Sequence, residues 1–511
     1  MSDSHAKGAE YAYADLATLK RALDAGQTTS AELTQAFIAR IDAIDGTGPA
    51  LHSILAIAPD AIESAQARDR ERQSGTTRSS LHGIPIVVKD NLETAGLASS
   101  AGSLALSRPP LSDADVVASL RAAGMVVLGK TNLSEWANFR SEKSSSGWSA
   151  MGGQTHNPFA LERSPSGSSS GSAVAVAAGL SPIAIATETD GSILSPSAVC
   201  GIVGIKPTVG LVSRRGIIPI SESQDTAGPM ARSVADAAAL LSVIAGFGGD
   251  DSALSSRPDG LVTDYAPSCR RDGLDGKRIG VPRDGFAGYH PRADECFAVA
   301  LEAMREAGAT IVDPVAVPGA APLRTSEDEL TVLLYEFHDG MDRYLSARAE
   351  QTGSGPRSLD DVIAFNREFA ETELLLFGQD IFERSARTGS LVDPEYIKAR
   401  ERCIEQSRAQ GIDLALGAEH LDALAVLTTG PAWLIDHVNG DSYLGAGYSI
   451  AAVAGYPSIT VPIGTVSGLP VGLSLLGRAW SESVLIEAAS GLEAQLGVAL
   501  RPGFSPHTPV G

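Results

Sequence analysis

Cysteine is scarce in this chain. Cys200, Cys269, Cys296 and Cys403 are the four in 511 residues, widely spaced and with no C-x-x-C pair. That spacing argues against a disulfide framework and a cysteine-built zinc site, and leaves four free thiols. Basic charge is in deficit as well. Lys and Arg number 40 against 61 Asp and Glu, a formal net charge of −21. So acidic a chain is a poor partner for nucleic acid, whose binding rests on neutralised phosphates, and for anionic membrane surfaces. Neither is expected as a partner, and solubility is the plain consequence of the charge. Long hydrophobic runs are missing too. "AVAVAAGLSPIAIAT" (173–187) is interrupted by Gly, Ser and Pro and is too short to span a bilayer. The opening "MSDSHAKGAEYAYADLATLKRAL" has no apolar segment of the kind a secretory leader carries. A cytoplasmic location is expected, or an exported one had a leader been removed. "SHAK" near the start and "HTP" near the end read as disordered ends.

What is present is a chain able to bury a large core, with 43% hydrophobic and 20% charged residues. "SAELTQAFIARIDAI" (30–44) has helical spacing behind a Ser cap. "LHGIPIVVKD" (81–90) reads as a buried strand ending in Lys89, and "MVVLGKTN" (125–132) repeats that form. "SAVAVAAGL" (172–180) is a short helix with a glycine stop. "PIAIATETDGSI" (182–193) is a strand followed by a polar turn, and "ARSVADAAALLSVIAG" (231–246) is a helix. "YPSITVPIG" and "LPVGLSLLG" are two more strands near the end. This alternation predicts an α/β fold. The stretch from 248 to 275 is Gly/Asp/Ser/Pro-rich, and helices dominate 295–420. Because the late strands look as buried as the early ones, a single domain over 1–511 is expected. In it, 248–420 is a loop and helical excursion that shapes the substrate cleft.

Two constellations carry chemistry. "GSSSG" (167–171) satisfies G-x-S-x-G with Ser169 central, and His437 lies downstream. A nucleophile elbow needs a strand before that serine, and "NPFALERSPS" is not one. By composition alone, "SPSGSSSGS" (164–172) is a flexible linker. The second constellation has no histidine: Lys89, a serine within 164–172, and Ser192 each follow or adjoin an apolar run. A lysine at the end of a buried strand must either ion-pair or lose its proton, since a buried ammonium is costly. In the second case it becomes a base able to activate a serine.

In that order Lys89, "PSGSSSG" (165–171), "ETDGSIL" (188–194) and "GIKPT" (204–208) resemble the amidase signature family. Its pattern is a lysine-bearing strand, P-G-G-S-S-G-G, D-T-G-G-S-I-R, then G-x-K-P-T. The likeness runs from about residue 30 to the C-terminus. "KTNLSEWANFRS" (130–141), "GLVSRRGIIPISESQDTAGPMARSVADAA" (210–238) and "FNREFAE" (365–371) are most similar to bacterial peptide amidases. The resemblance implies a large mixed, mostly parallel central sheet covered by helices on both faces. It implies a catalytic set of Lys89 as general base, Ser168 behind a cis peptide bond as proton relay, and Ser192 as nucleophile. Ser168 and Ser192 lie 24 residues apart, the separation these motifs carry. The backbone N–H groups of Thr189, Asp190, Gly191 and Ser192 would form the oxyanion hole, with Ser169 and Asp90 in support. Ala137, Asn138 and Phe139 would border the acyl pocket, although Trp136 and Phe139 also read as ordinary core packing. No metal and no cofactor is implied.

The implied activity is hydrolysis of C-terminal carboxamides of peptides through an acyl-enzyme, by a monomer or homodimer. An aryl-acylamide or small aliphatic amide hydrolase is the alternative. A tRNA-dependent amidotransferase of the type that works with partner proteins, represented by its A subunit, is a third reading, opposed by the acidity and by Leu194 in place of the family's arginine.

Overall fold

The computed structural model describes residues 10–508. "SHAK" and Pro509 therefore lie outside the described residues. His507 and Thr508 lie inside and do not behave as a disordered end. His507 Nδ1 sits 2.8 Å from Glu162, and the Thr508 N–H donates to the same carboxylate at 2.8 Å.

Among the described residues, eleven strands form one sheet. In chain order they are β1 (Ile54–Ile57), β2 (Pro85–Lys89), β3 (Val126–Thr131), β4 (Ile183–Glu188), β5 (Val203–Lys206), β6 (Thr226–Ala231), β7 (Arg278–Gly280), β8 (Thr310–Val312), β9 (Ala423–Leu427), β10 (Ser458–Val466) and β11 (Leu469–Leu476). Their spatial order is β1-β3-β2-β4-β6-β5-β10-β11-β9-β7-β8. The sheet is large and mixed, with helices on both faces. The expected predominance of parallel pairs does not hold, however. Four pairings are parallel (β2 with β3 and β4, β7 with β8 and β9) and six are antiparallel. The cause is connection length. β10 and β11 are joined by a tight turn at Ser467–Gly468, and so short a link can join only antiparallel neighbours. β6 returns between β4 and β5 and runs against both. The excursion is also not wholly helical, because β7 and β8 lie within it at the sheet edge.

Alternation along the strands sorts side chains onto two faces. Ile86, Val88, Ile183 and Ile185 join one core, with α3 (Val234–Ile244) and the later helices against it. Val87, Ala184 and Ala186 join the other, against α1 (Ser30–Ile41) and α2 (Ser170–Ala177). Lys89 shares the face of Val87, which turns it toward the α2 side. The α1 cap is Thr29 rather than Ser30. Thr29 has extended geometry and its hydroxyl accepts the Glu32 N–H, while the Glu32 carboxylate accepts the Thr29 N–H. Ser30 sits inside the first turn and donates to the Gly83 carbonyl at 2.6 Å.

Candidate active site

β2, β3 and β4 run parallel, so their C-terminal ends share one edge of the sheet. Loops leaving such an edge are the usual place for ligand sites in α/β folds. Lys89 closes β2 and is fully buried. Its Nζ lies 2.9 Å from Thr187 Oγ1, 3.2 Å from the Thr187 carbonyl and 2.8 Å from Ser168 Oγ. Asn91 Nδ2 donates to Thr187 Oγ1 at 2.9 Å and fixes that hydroxyl. Burial pushes the Lys89 amine down to about 7, against the opposing pull of Asp225 and Glu188. A neutral amine has two N–H donors and one lone pair. Thr187 offers two acceptors for the donors, which leaves the lone pair for Ser168.

Ser168 Oγ is 2.9 Å from Ser192 Oγ, so amine, hydroxyl and hydroxyl form one continuous chain of contacts. The Gly167–Ser168 peptide bond is cis. The serine-rich loop is not a linker: Ser164, Ser166, Ser168, Ser169, Ser170 and Ser172 are all buried. Ser169 Oγ donates to the Thr187 carbonyl at 3.0 Å, and its N–H to the Ser192 carbonyl at 3.2 Å. Ser166 Oγ meets Ser195 Oγ at 2.8 Å, and Ser170 Oγ donates to the Ser166 carbonyl at 2.7 Å. The elbow alternative is not built, because Ser169 points at backbone while His437 Nε2 pairs with Gln154 Oε1 at 2.9 Å.

The turn 189–192 follows β4 and leads into the short helix Leu194–Val199. Glu188 clamps its far side, accepting the N–H groups of Ile193 at 2.7 Å and Leu194 at 3.0 Å. Its carboxylate also faces the Gly191 N–H, one of the four expected oxyanion donors. Thr189 Oγ1 donates to Asp225 at 2.6 Å, and Gln224 Nε2 reaches the Thr189 carbonyl at 3.4 Å. Gly191 has φ +79°, and a Cβ there would fall into the Tyr448 ring. Glycine is required by both conformation and contact.

A cavity of about 300 Å³ opens on this turn. Ser192, Thr189, Asp190 and Gly167 line it, together with Ala137, Asn138 and Phe139. Trp136, Ala137 and Asn138 have φ of 49°, 54° and 69°, a left-handed run that sets the Phe139 ring edge-on against Phe337 at 5.0 Å. Trp136 is buried edge-on against Phe382. The structure brings Lys89, Ser168, Ser169, Ser192 and the 137–139 and 189–192 segments together, but not Asp90. Successive residues of an extended chain point opposite ways. The Asp90 carboxylate accordingly takes the Ser100 N–H at 2.9 Å and stands 3.9 Å from Lys130, away from Lys89. Sequence reasoning missed Thr187, although its hydroxyl sits at a strand end beside the D-G-S turn. It also missed Leu333 of α4 (Asp328–Thr352), Trp433, Asp441, Tyr443 and Tyr448, which line the cavity from distant segments without a local signal. No described helix is long and apolar enough to cross a membrane.

Residues 32–486 match the family model described as amidase. The chain is similar to the native peptide amidase from Stenotrophomonas maltophilia, with 51% identity, a TM-score of 0.92, and coverage of 97% of this chain and 99% of that one. It is 37% identical to a probable amidase of Arabidopsis thaliana, covering 96% of this chain and 91% of the relative. It is 35% identical to the A subunit of the glutamyl-tRNA(Gln) amidotransferase from a Roseiflexus species, covering 92% and 94%.

Proposed function

The chain belongs to the amidase family, and from that premise we propose that it releases ammonia from peptides ending in a carboxamide, with Ser192 as nucleophile. The observation that carries this reading is the unbroken chain of contacts from Lys89 through Ser168 to Ser192, ending at a cavity wall. Ser192 Oγ attacks the amide carbonyl carbon. Its proton passes to Ser168 Oγ as the Ser168 proton passes to the Lys89 lone pair. The carbonyl oxygen becomes an oxyanion stabilised by backbone N–H groups of the 189–192 turn; losing one such donor costs about 100–1,000-fold in rate. The C–N bond then breaks, and the relay runs backward to protonate the leaving nitrogen. Water enters, gives a proton to the same relay and cleaves the ester, releasing the peptide acid and restoring Ser192.

The peptide preference is supported by the similarity to the Stenotrophomonas enzyme, whose name states its substrate. Ammonia release from a panel of peptide amides tests it. Release is expected with the wild-type protein and none with Ser192→Ala, whose melting curve should be unchanged. Silence on every peptide amide together with cleavage of a chromogenic anilide would move the assignment to aryl-acylamides. The amidotransferase reading is favoured by the 35% identity. It requires copurification of a tRNA-binding partner, and the −21 charge opposes direct contact with tRNA.

A further inference from the structure

One hydroxyl hydrogen beside Lys89 is left without an acceptor. Thr187 Oγ1 is met by two nitrogens, Lys89 Nζ at 2.9 Å and Asn91 Nδ2 at 2.9 Å. A hydroxyl can accept twice, but it also carries a hydrogen of its own. With both nitrogens donating, that hydrogen has no acceptor among the described residues. Asn91 has the complementary defect. It is buried, and its Oδ1 has no hydrogen-bond partner among the described residues. A donor lacking an acceptor and an acceptor lacking a donor thus sit on two side chains already in contact.

The neutral Lys89 amine makes this mismatch matter. It has two N–H donors and one lone pair for three neighbours: the Thr187 carbonyl, Thr187 Oγ1 and Ser168 Oγ. The carbonyl can only accept, so it takes one N–H. The other N–H and the lone pair are divided between the two hydroxyls. If Thr187 gives its hydrogen to the lone pair, the second N–H points at Ser168 and no base faces the relay. If Thr187 sends its hydrogen elsewhere, it accepts that N–H, and the lone pair faces the Ser168 hydrogen. We infer that Asn91 makes this choice: its amide turns over, Oδ1 accepts the Thr187 hydrogen, and the Lys89 lone pair is left for Ser168. Asn91 is then a positioning residue that acts on the relay through Thr187. The inference rests on the reading of Lys89 as the base for Ser168 and Ser192.

Turning the amide needs no new space, because its oxygen and nitrogen are nearly alike in shape. Nδ2 then takes the place of Oδ1, a position that no described donor occupies with a hydrogen bond. The backbone keeps its bond, with the Asn91 carbonyl accepting the Ile218 N–H at 2.9 Å. One orientation serves both protonation states of Lys89. An ammonium donates to all three neighbours and has no lone pair, so the Thr187 hydrogen again needs Asn91 Oδ1. The amide can therefore stay fixed while the proton moves between Ser168 and Lys89.

A double-mutant cycle isolates this role. Ammonia release from one peptide amide is followed for the wild type, Asn91→Leu, Thr187→Val and the protein carrying both. Asn91→Leu offers no acceptor. It should lower kcat by about tenfold or more, part of what a general base contributes, and leave KM within about twofold. On the Thr187→Val background no hydroxyl hydrogen needs an acceptor, and Asn91→Leu should change kcat by less than about twofold. An equal loss on both backgrounds would make Asn91 a packing residue and overturn the proposal. Neutron diffraction of the deuterated wild-type protein, at a pH where Lys89 is neutral, asks the same question without a variant that must fold. The Thr187 deuteron should lie between Oγ1 and Asn91 Oδ1. A deuteron between Oγ1 and Lys89 Nζ would overturn the proposal. Failure of the wild-type protein to release ammonia from peptide amides is a separate result that strikes the assignment of function and leaves the neutron reading intact.

Discussion

On the proposed mechanism, Lys89 is expected to set the pH behaviour. Its ordinary value of 10.5 is lowered to about 7 by burial, so the neutral amine is the main form above pH 7 and the ammonium below it. If the neutral form is the base, kcat/KM should climb about tenfold per pH unit below about 7 and level off above it. Lys89→Met should remove that limb along with about 100–10,000-fold of the rate. Lys89→Arg should not rescue, because a guanidinium stays protonated. A flat profile from pH 5 to 8 would sink the role. Lys89 was legible because a charged residue closing an apolar strand is anomalous. Asp90 was misread for a related reason: adjacency in sequence suggested adjacency in space, and strand alternation sends the two side chains apart.

At the scale of elements, the cavity wall is joined to the helical excursion by Arg140. This buried guanidinium pairs with Glu135, donates to the Glu373 carbonyl, and lies 4.2 Å over the Phe377 ring. Burial raises Glu135 to about 8 even with Arg140 beside it. Arg140→Ala would leave Glu135 and Glu373 buried around a void. The expected loss is about 3–5 kcal/mol of stability, read from the urea midpoint, with a raised KM because the 136–139 turn loses its anchor. A loss below about 1 kcal/mol would mean that the joint is not needed. The strands and helices flanking the serine loop were legible, since apolar runs of strand length and Gly stops mark them locally. β7 and β8 were not, being three residues each. Tyr443 and Tyr448 gave no sign either, because only tertiary packing brings their loop over Gly191.

For the whole molecule, the −21 charge predicts partner choice by sign. A peptide amide carrying two lysines upstream should show kcat/KM falling several-fold as ionic strength rises from about 0.02 to 0.3 M. A neutral peptide amide should show little change, and equal salt response would remove long-range attraction as a factor. The mixed sheet with helices on both faces followed from the resemblance more than from periodicity. Pair direction depends on which strand inserts beside which, and local sequence does not encode that.

Trp433 gives the cavity an optical handle. The chain has four tryptophans. Trp136 and Trp148 are packed against Phe382 and Phe377, and Trp480 lines a different cavity. Trp433 stands on the cavity wall with Ser192, edge-on to Tyr443 at 5.5 Å, with its indole nitrogen unpaired among the described residues. A peptide that displaces water there changes the polarity around that one indole. The wavelength and intensity of ultraviolet emission should therefore titrate with occupancy in an unlabelled protein, and Trp433→Phe should turn the signal off.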